Sequence, residues 1–204
     1  MSRAEATNRA NPATPATTAG RPRSKRAHAA VLETTRELLS TLTYDQLSVD
    51  RIAAESGVSK RTIYRWWSNK AAIVMEAATA TDIPAPDTGT LRGDLVALLV
   101  GIFDNVATHR PAQAIRGLLC EAQFDPAFAE DFRGYIGRRR QLCLEIVIRA
   151  AARHELRAGV QPEIVADLVY GAYWNRFLIG HAPLDRAFAE QVVDTLLAGI
   201  EPHG

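Results

Sequence analysis

Apolar residues recur along this chain at intervals of three and four, the period of an amphipathic helix, from Ser24 onward. Val31, Thr34, Leu38, Leu39 and Leu42 form the first stripe and predict a helix from about Ser24 to Thr41. Ser48 is placed to cap a short second helix bearing Ile52 and Ala53, which Gly57 stops. Ser59 caps a third, and Ser68 or Asn69 a fourth that holds Ile73, Val74 and Ala77. The run Ile83-Pro84-Ala85-Pro86-Asp87 then breaks the pattern, because prolines there cannot continue a helix, and it marks a domain boundary.

Beyond the boundary, Leu91, Leu95, Leu98, Leu99, Ile102, Phe103 and Val106 predict a strong fifth helix, and Pro111 starts a sixth that ends near Phe124. Asp125-Pro126 is a cap followed by proline at the first helical position, opening a long segment to about Leu156 in which Gly134 and Gly137 are candidate kinks. Pro162 starts a helix through Ile179, and Asp185 caps the last, through Ile200. No alternating strand pattern and no internal repeat interrupts this series, so the fold class is all-α. Residues 1–22 have no hydrophobic period and one acid, Glu5, which predicts a disordered basic arm. It lacks the apolar core of a secretory signal, and Pro12, Pro15 and Pro22 would break the amphipathic helix of an organellar transit peptide.

Composition narrows the classes. With 47% apolar and 23% charged residues in 204, the chain can bury a sizeable core, and no stretch approaches the roughly 20 apolar residues of a membrane span. Two cysteines, Cys120 and Cys143, make no disulfide framework and suit a reducing compartment. The net charge of +1 hides an asymmetry: residues 1–80 carry 12 Lys and Arg against 7 Asp and Glu, and the remainder carries 12 against 16. A basic front on an acidic body suggests a polyanion-binding module.

The stretch LSVDRIAAESGVSKRTIYRWWSNK, Leu47 to Lys70, gives that charge a form. Two short helices crossing over a tight turn need a small residue at their approach, here Ala53, and a residue tolerant of positive φ in the turn, here Gly57. Ile52, Val58 and Ile63 are spaced to close the wedge beneath, leaving Lys60, Arg61, Thr62, Tyr64 and Arg65 to project outward toward a major groove. Any two short helices around a glycine share the bare spacing; the agreement of wedge, caps and basic-aromatic second helix is what singles this one out.

These residues resemble the DNA-binding domain of TetR-type transcriptional regulators. Ser48-Val49-x-x-Ile52-Ala53 and Gly57-Val58-Ser59 match that family's second helix and turn, and Thr62-Ile63-Tyr64-x-x-Trp67 with Lys70 match its recognition helix and the start of its fourth. The specific pattern covers roughly 50 of the 204 residues. Trp67 stands where the family more often has Phe, and Arg61 where it often has Gly. The resemblance implies that Ser48, Lys60, Tyr64, Trp66 and Lys70 lie near phosphates of double-stranded DNA, with Arg61, Thr62 and Arg65 as candidates for base edges. Lys70 near a helix start is disfavoured by the helix dipole, a conflict a phosphate would resolve. Arg21, Arg23, Lys25 and Arg26 could reach along the backbone or only solubilise the arm.

The implied architecture is an N-terminal three-helix helix-turn-helix domain, residues 23–82, and a C-terminal helical ligand-binding and dimerisation domain, residues 88–204. The last two helices are more apolar than one-sided packing needs, and the resemblance implies that Ile164, Leu168, Tyr173, Phe188, Val192 and Leu196 meet a second subunit, giving a homodimer on a palindromic operator. Phe103, Phe124, Tyr135, Cys143, Trp174, Asn175 and Phe177 are candidates for the pocket of a small-molecule effector, each also a plausible core or interface residue. Arg138-Arg139-Arg140 reads most simply as a solvated face, with an acidic ligand as the alternative. There is no GxGxxG, P-loop or nucleophile elbow, and the five histidines show no metal-ligand spacing, so no enzyme, cofactor or metal is expected. The reading is a cytoplasmic, ligand-released repressor; a non-specific architectural DNA binder and a ligand-binding protein with a vestigial helix-turn-helix are its rivals.

Overall fold

The computed structural model describes residues 20–79, 84–108 and 111–200. Among these the chain forms α1 (Gly20–Leu39), α2 (Val49–Ser56), α3 (Lys60–Ile63), α4 (Lys70–Thr79), α5 (Leu91–Thr108), α6 (Pro111–Phe124), α7 (Pro126–Ala152), α8 (Pro162–Ile179) and α9 (Arg186–Ile200), with no strand. Residues 1–19 of the basic arm lie outside the described residues. The first helix starts at Gly20, earlier than its stripe predicts, and Lys25 and Arg26 stand on it, exposed.

In the N-terminal part α1 packs on α2 and α4. Its buried face is Val31, Leu32, Thr35, Leu38 and Leu39, so the buried threonine is Thr35 and not Thr34. Helical geometry places residue 35 one turn beyond 31, and the Thr35 hydroxyl is satisfied by donating to the Val31 carbonyl at 2.7 Å. Asn69, of the two candidates, caps α4, accepting from the Ala72 amide at 2.9 Å.

In the body, α5 runs against α7 and α9, α8 lies on α7 and α9, and α6 packs on α7 on one side and α4 on the other. Leu95 and Leu99 of α5, Ile146 of α7, Val169 of α8 and Val193 of α9 belong to its fully buried core. Asp94, fully buried in the first turn of α5, accepts from the Thr88 amide at 2.5 Å and its hydroxyl at 2.8 Å, with the Arg149 and Arg153 guanidiniums at 3.4 and 3.7 Å. Arg149 also donates to the Pro86 carbonyl, so the linker after the DNA-binding part is fastened to the end of α7.

The long helix α7 is continuous through Gly134 and Gly137, and it ends at Ala152, short of Leu156. The stop is a left-handed residue, His154 at φ 61°, with the Glu155 amide donating back to the Ala150 carbonyl at 3.0 Å and the His154 amide to Ala151 at 3.0 Å. This is a Schellman closure with histidine where glycine is usual. Sequence reading passed over it because the residue that ends the helix is not a helix-stopping type.

Candidate nucleic-acid interface and ligand cavity

The helix-turn-helix is built from local rules. Ser48 caps α2 by accepting from the Arg51 amide at 3.2 Å, and Gly57 ends it at φ 67°, a conformation that costs a side-chain-bearing residue about 1–2 kcal/mol. Ser59 caps α3, accepting from the Thr62 amide at 3.3 Å. Ile52 and Ile63 are wholly buried beneath the turn, and Val58 and Ala53 pack on the same core. The second element is one α-turn long and continues as tighter turns through Trp66, with the Arg65 amide reaching the Thr62 carbonyl at 3.3 Å and the Trp66 amide the Ile63 carbonyl at 2.9 Å.

That short element turns Arg61, Tyr64 and Arg65 to solvent, with Lys60 at its start and Ser48 at the head of α2 also exposed. Lys60 reaches across to Asp50 at 2.7 Å, and this hydrogen bond holds its ammonium above the ordinary lysine range. A phosphate at Lys60 would therefore replace a carboxylate already there. Thr62 is half-buried with its hydroxyl 2.9 Å from that of Ser59, so it belongs to the cap of α3.

Trp66 and Trp67 divide the work of an aromatic pair. Trp67 is buried and its indole N–H donates to Glu76 at 2.7 Å, while Trp66 is half-buried, edge-on to Trp67 at 5.5 Å, with the Arg65 guanidinium 5.3 Å from its ring centre. His28 of α1 stacks on Trp67 at 4.5 Å and completes the cluster. Sequence reading missed His28, although it falls one turn before Val31 and Leu32 on the buried face of α1. The Lys70 ammonium donates to the Tyr44 carbonyl at 2.9 Å and lies 4.0 Å from the Tyr44 ring centre. The dipole conflict at the start of α4 is thus met within the protein, without a phosphate.

Tyr44 is also the joint between the two parts. Its hydroxyl donates to Glu121 of α6 at 3.1 Å, and its ring lies so close to α6 that a Cβ on Gly117 would fall 2.2 Å from Cγ. Helix and ring can approach only because residue 117 has no side chain.

The body holds a cavity of about 300 Å³. Ala78 of α4, Ile102 and Val106 of α5, Ile115 of α6, Ile136 of α7 and Trp174 of α8 give it apolar walls. Tyr135, Tyr170 and Tyr173 add phenol rings, and Arg139, Arg140, Asp167 and Asn105 add polar groups. Burial pushes the Tyr170 and Tyr173 hydroxyls well above the usual tyrosine range, with the Arg139 charge pulling the other way on both. Arg138 is exposed, while Arg139 and Arg140 line the cavity, so the arginine run is a solvated face at only one of its three positions.

Of the pocket candidates, Tyr135 and Trp174 line this cavity and five do not. Phe103, Cys143 and Phe177 are core residues: Phe103 stacks between Tyr173 and Phe188 at 6.1 and 6.0 Å, and burial pushes the Cys143 thiol to about 12. Phe177 lies under the Arg116 guanidinium, 4.6 Å from its ring centre. Phe124 ends α6 at 83% exposure in a separate cleft beside Tyr44 and Lys70, and Asn175 faces solvent. The cause on α8 is the helical period: residues 173 and 177 share the inward face, 174 lies on its flank, and 175 is turned outward.

Of the interface candidates, Ile164 and Leu168 are 52% and 55% exposed, and Phe188, Val192 and Leu196 are half-buried along a groove between α8 and α9 that Leu168 and Ala172 also line. Tyr173 departs from this set: it is 5% exposed and lines the cavity, one quarter-turn away from the outer stripe. No helix among the described residues is long and apolar enough to cross a membrane.

A capped helix-turn-helix presenting a basic-aromatic turn, packed on a helical body, with a cavity walled by both, defines a two-part DNA-binding regulator. Residues 31–77 match the family described as bacterial regulatory proteins, tetR family, and residues 85–196 match the tetracyclin repressor-like C-terminal domain. The chain is 34% identical over 186 residues to the HTH-type transcriptional regulator YdeS of Bacillus subtilis strain 168, covering 89% of this chain and 93% of that one. It is 31% identical over 180 residues to a DNA-binding transcriptional repressor TetR of Mycobacteroides abscessus, covering 86% and 94%. Among solved structures, the TetR family transcription regulator SCO0332 superposes with a TM-score of 0.67 at 35% identity over 87% of this chain and 100% of that one. Bacillus subtilis FadR in complex with stearoyl-CoA shares the fold, with a TM-score of 0.64 at 16% identity over 85% and 100%. The chain belongs to the TetR family of transcriptional regulators, which are DNA-binding proteins and not enzymes.

Proposed function

We propose that this regulator is a homodimeric repressor that holds a palindromic operator and is released from it by a small molecule bound in the body. The observation that carries the reading is the wall of the cavity: Ala78 belongs to α4 of the DNA-binding part, and Ile115 to α6, the helix whose Gly117 touches Tyr44. A ligand seated there meets both parts of the molecule, and it shifts their relative position by as much as its affinities for the two arrangements differ, of order 1–3 kcal/mol. The outward stripe of Ile164 and Leu168 with the α8–α9 groove supports pairing of two copies through these helices. Two-fold pairing presents two α3 elements to half-sites about 34 Å apart or a multiple of it. The name of the Mycobacteroides relative as a repressor favours repression. The working site of such a protein is the cytoplasm.

Within this reading Ser48, Lys60, Tyr64 and Trp66 touch phosphates, and Arg61 and Arg65 meet base edges, with Arg61 suited to a bidentate contact with guanine. Selection of the purified protein against random duplex DNA at physiological salt tests it. An enriched palindrome whose complexes dissociate on adding a cavity ligand is the expected result. Binding without enrichment that fades steeply with salt would leave an architectural DNA binder, and no binding at moderate salt a vestigial helix-turn-helix.

A further inference from the structure

The carboxylate on Lys60 stands where two features of the helix-turn-helix favour an anion. Asp50 lies in the first turn of α2, two residues after the Ser48 cap, where the helix dipole attracts negative charge. It also meets the Lys60 ammonium, from α3, at 2.7 Å, and the two side chains are 75% and 52% exposed. The pair therefore lies at the surface, outside the wedge that Ile52 and Ile63 fill beneath the turn. Folding has little need of it. Ser48, Gly57 and Ser59 already fix the ends of these helices, and an exposed ion pair contributes little to stability.

Resting on the phosphate contacts proposed above, we infer that Asp50 sets the affinity of this protein for DNA: its carboxylate occupies on Lys60 the place that a phosphate takes, and every DNA complex forms by displacing it. An ammonium has three N–H donors, and geometry alone lets it serve carboxylate and phosphate together. Charge opposes this, since two anions on one ammonium stand about 4.5 Å apart and repel. Lys60 must be withdrawn from Asp50 in exchange for the phosphate, and the carboxylate is left facing the DNA backbone. Both penalties fall on a phosphate contact and neither on a base edge, so they apply to every sequence alike. Asp50 thereby keeps weak, sequence-independent complexes short-lived while the ratio between operator and other DNA stays unchanged.

Fluorescence anisotropy of the full chain on two duplexes, one of mixed sequence and one carrying the palindrome enriched by selection, tests the inference. Asp50→Asn keeps the shape of the side chain and removes its charge. It should tighten binding to both duplexes by the same factor, about tenfold for a dimer in which each subunit contributes about threefold. The slope of log affinity against log salt should steepen by up to about one per subunit. Asp50→Glu keeps the charge and should stay within about twofold of the unaltered protein. Glu145→Gln makes the same change of net charge at an exposed position of α7, and it too should stay within about twofold at physiological salt, where charges are screened over about 8 Å. Equal tightening by Glu145→Gln would reduce the effect to net charge and overturn the inference, as would unchanged affinity in Asp50→Asn. A loss of affinity in Asp50→Asn confined to the palindrome would also overturn it, making Asp50 a reader of a base edge, where an acidic side chain accepts from cytosine. Lys60→Ala on the same duplexes separates the inference from the reading beneath it. If Lys60→Ala weakens binding while Asp50→Asn changes nothing, the phosphate contact stands and the inference alone falls. If Lys60→Ala leaves affinity unchanged on both duplexes, the phosphate contact at Lys60 falls and the inference with it.

Discussion

The two halves of this molecule use apolar residues differently. In the DNA-binding part most apolar residues have one place to go: Ile52, Ile63 and Val74 are wholly buried in the core, and Ala78 at the end of α4 reaches the cavity wall. In the body three destinations compete. On α8 alone, Val165, Val169 and Phe177 enter the core, Trp174 lines the cavity, and Ile164 and Leu168 stand outside on a surface suited to a second copy. Burial propensity therefore identifies the fold in the first half and leaves function ambiguous in the second, because a helix that is apolar all round has more than one buried face to satisfy.

Mutations on each side sharpen that contrast. Ile63→Ala removes the residue that closes the helix-turn-helix wedge and should cost about 2–5 kcal/mol, abolishing operator binding while pairing through the body survives. Loss of both activities in a folded sample would mean the halves are one cooperative unit. Leu168→Asp should cost less in folding, since that side chain is 55% exposed, and should instead weaken pairing by roughly 2–4 kcal/mol, read as monomer in sedimentation at micromolar concentration. Val169→Asp, one position along and fully buried, should unfold the body. If Leu168→Asp leaves the oligomeric state unchanged, the outer stripe of α8 is not the pairing surface.

Legibility followed the same divide. The caps at Ser48 and Ser59, the left-handed Gly57 and the wedge of Ile52, Val58 and Ile63 could be read because each is a rule acting over three or four residues. Most body helices were readable too, from prolines and Asp125 at their starts. The cavity was not, because whether Phe103, Tyr135 or Phe177 borders an empty space depends on what four other helices bring opposite it. The same holds for Lys70 and Arg139, whose partners, Tyr44 and Tyr170, lie 26 and 31 residues away in the chain. Charge reading predicted that Lys70 needed a counter-charge and could not see that a carbonyl and a ring supply one.

A smaller effect probes the joint itself. Gly117→Ala places a methyl 2.2 Å from Tyr44 Cγ, and since that contact is to the root of the ring, not to a flexible tip, helix α6 or the α1–α2 connection must move. Overpacking of this kind costs about 1–3 kcal/mol. If α6 transmits ligand binding through Tyr44, the variant should show altered operator affinity and a ligand response reduced by more than its folding loss explains, measured by fluorescence anisotropy with and without a ligand of the cavity. An unchanged ligand response in a destabilised protein would place the coupling at Ala78 and not at the Gly117 contact.

Lys70 gives the smallest change and the finest distinction between the halves, because it belongs to the DNA-binding part yet its ammonium holds Tyr44, which touches the body. Lys70→Met keeps the length of the stem and removes the charge, deleting the hydrogen bond to the Tyr44 carbonyl and the contact over the ring. A half-buried charge-assisted hydrogen bond with a cation–π contact is worth about 1 kcal/mol net once solvent screening is allowed for. If the role is structural, denaturant melts should show that loss, while the slope of log affinity against log salt stays as in the unaltered protein. If Lys70 also neutralises a phosphate, the slope should fall by about one, as expected for Lys60→Ala, whose Asp50 partner leaves it free to exchange onto DNA. The two outcomes read different quantities on the same variant. The geometry at Tyr44 favours the first, since both the carbonyl and the ring already direct the ammonium inward, toward α6 and away from the groove-facing turn of α3.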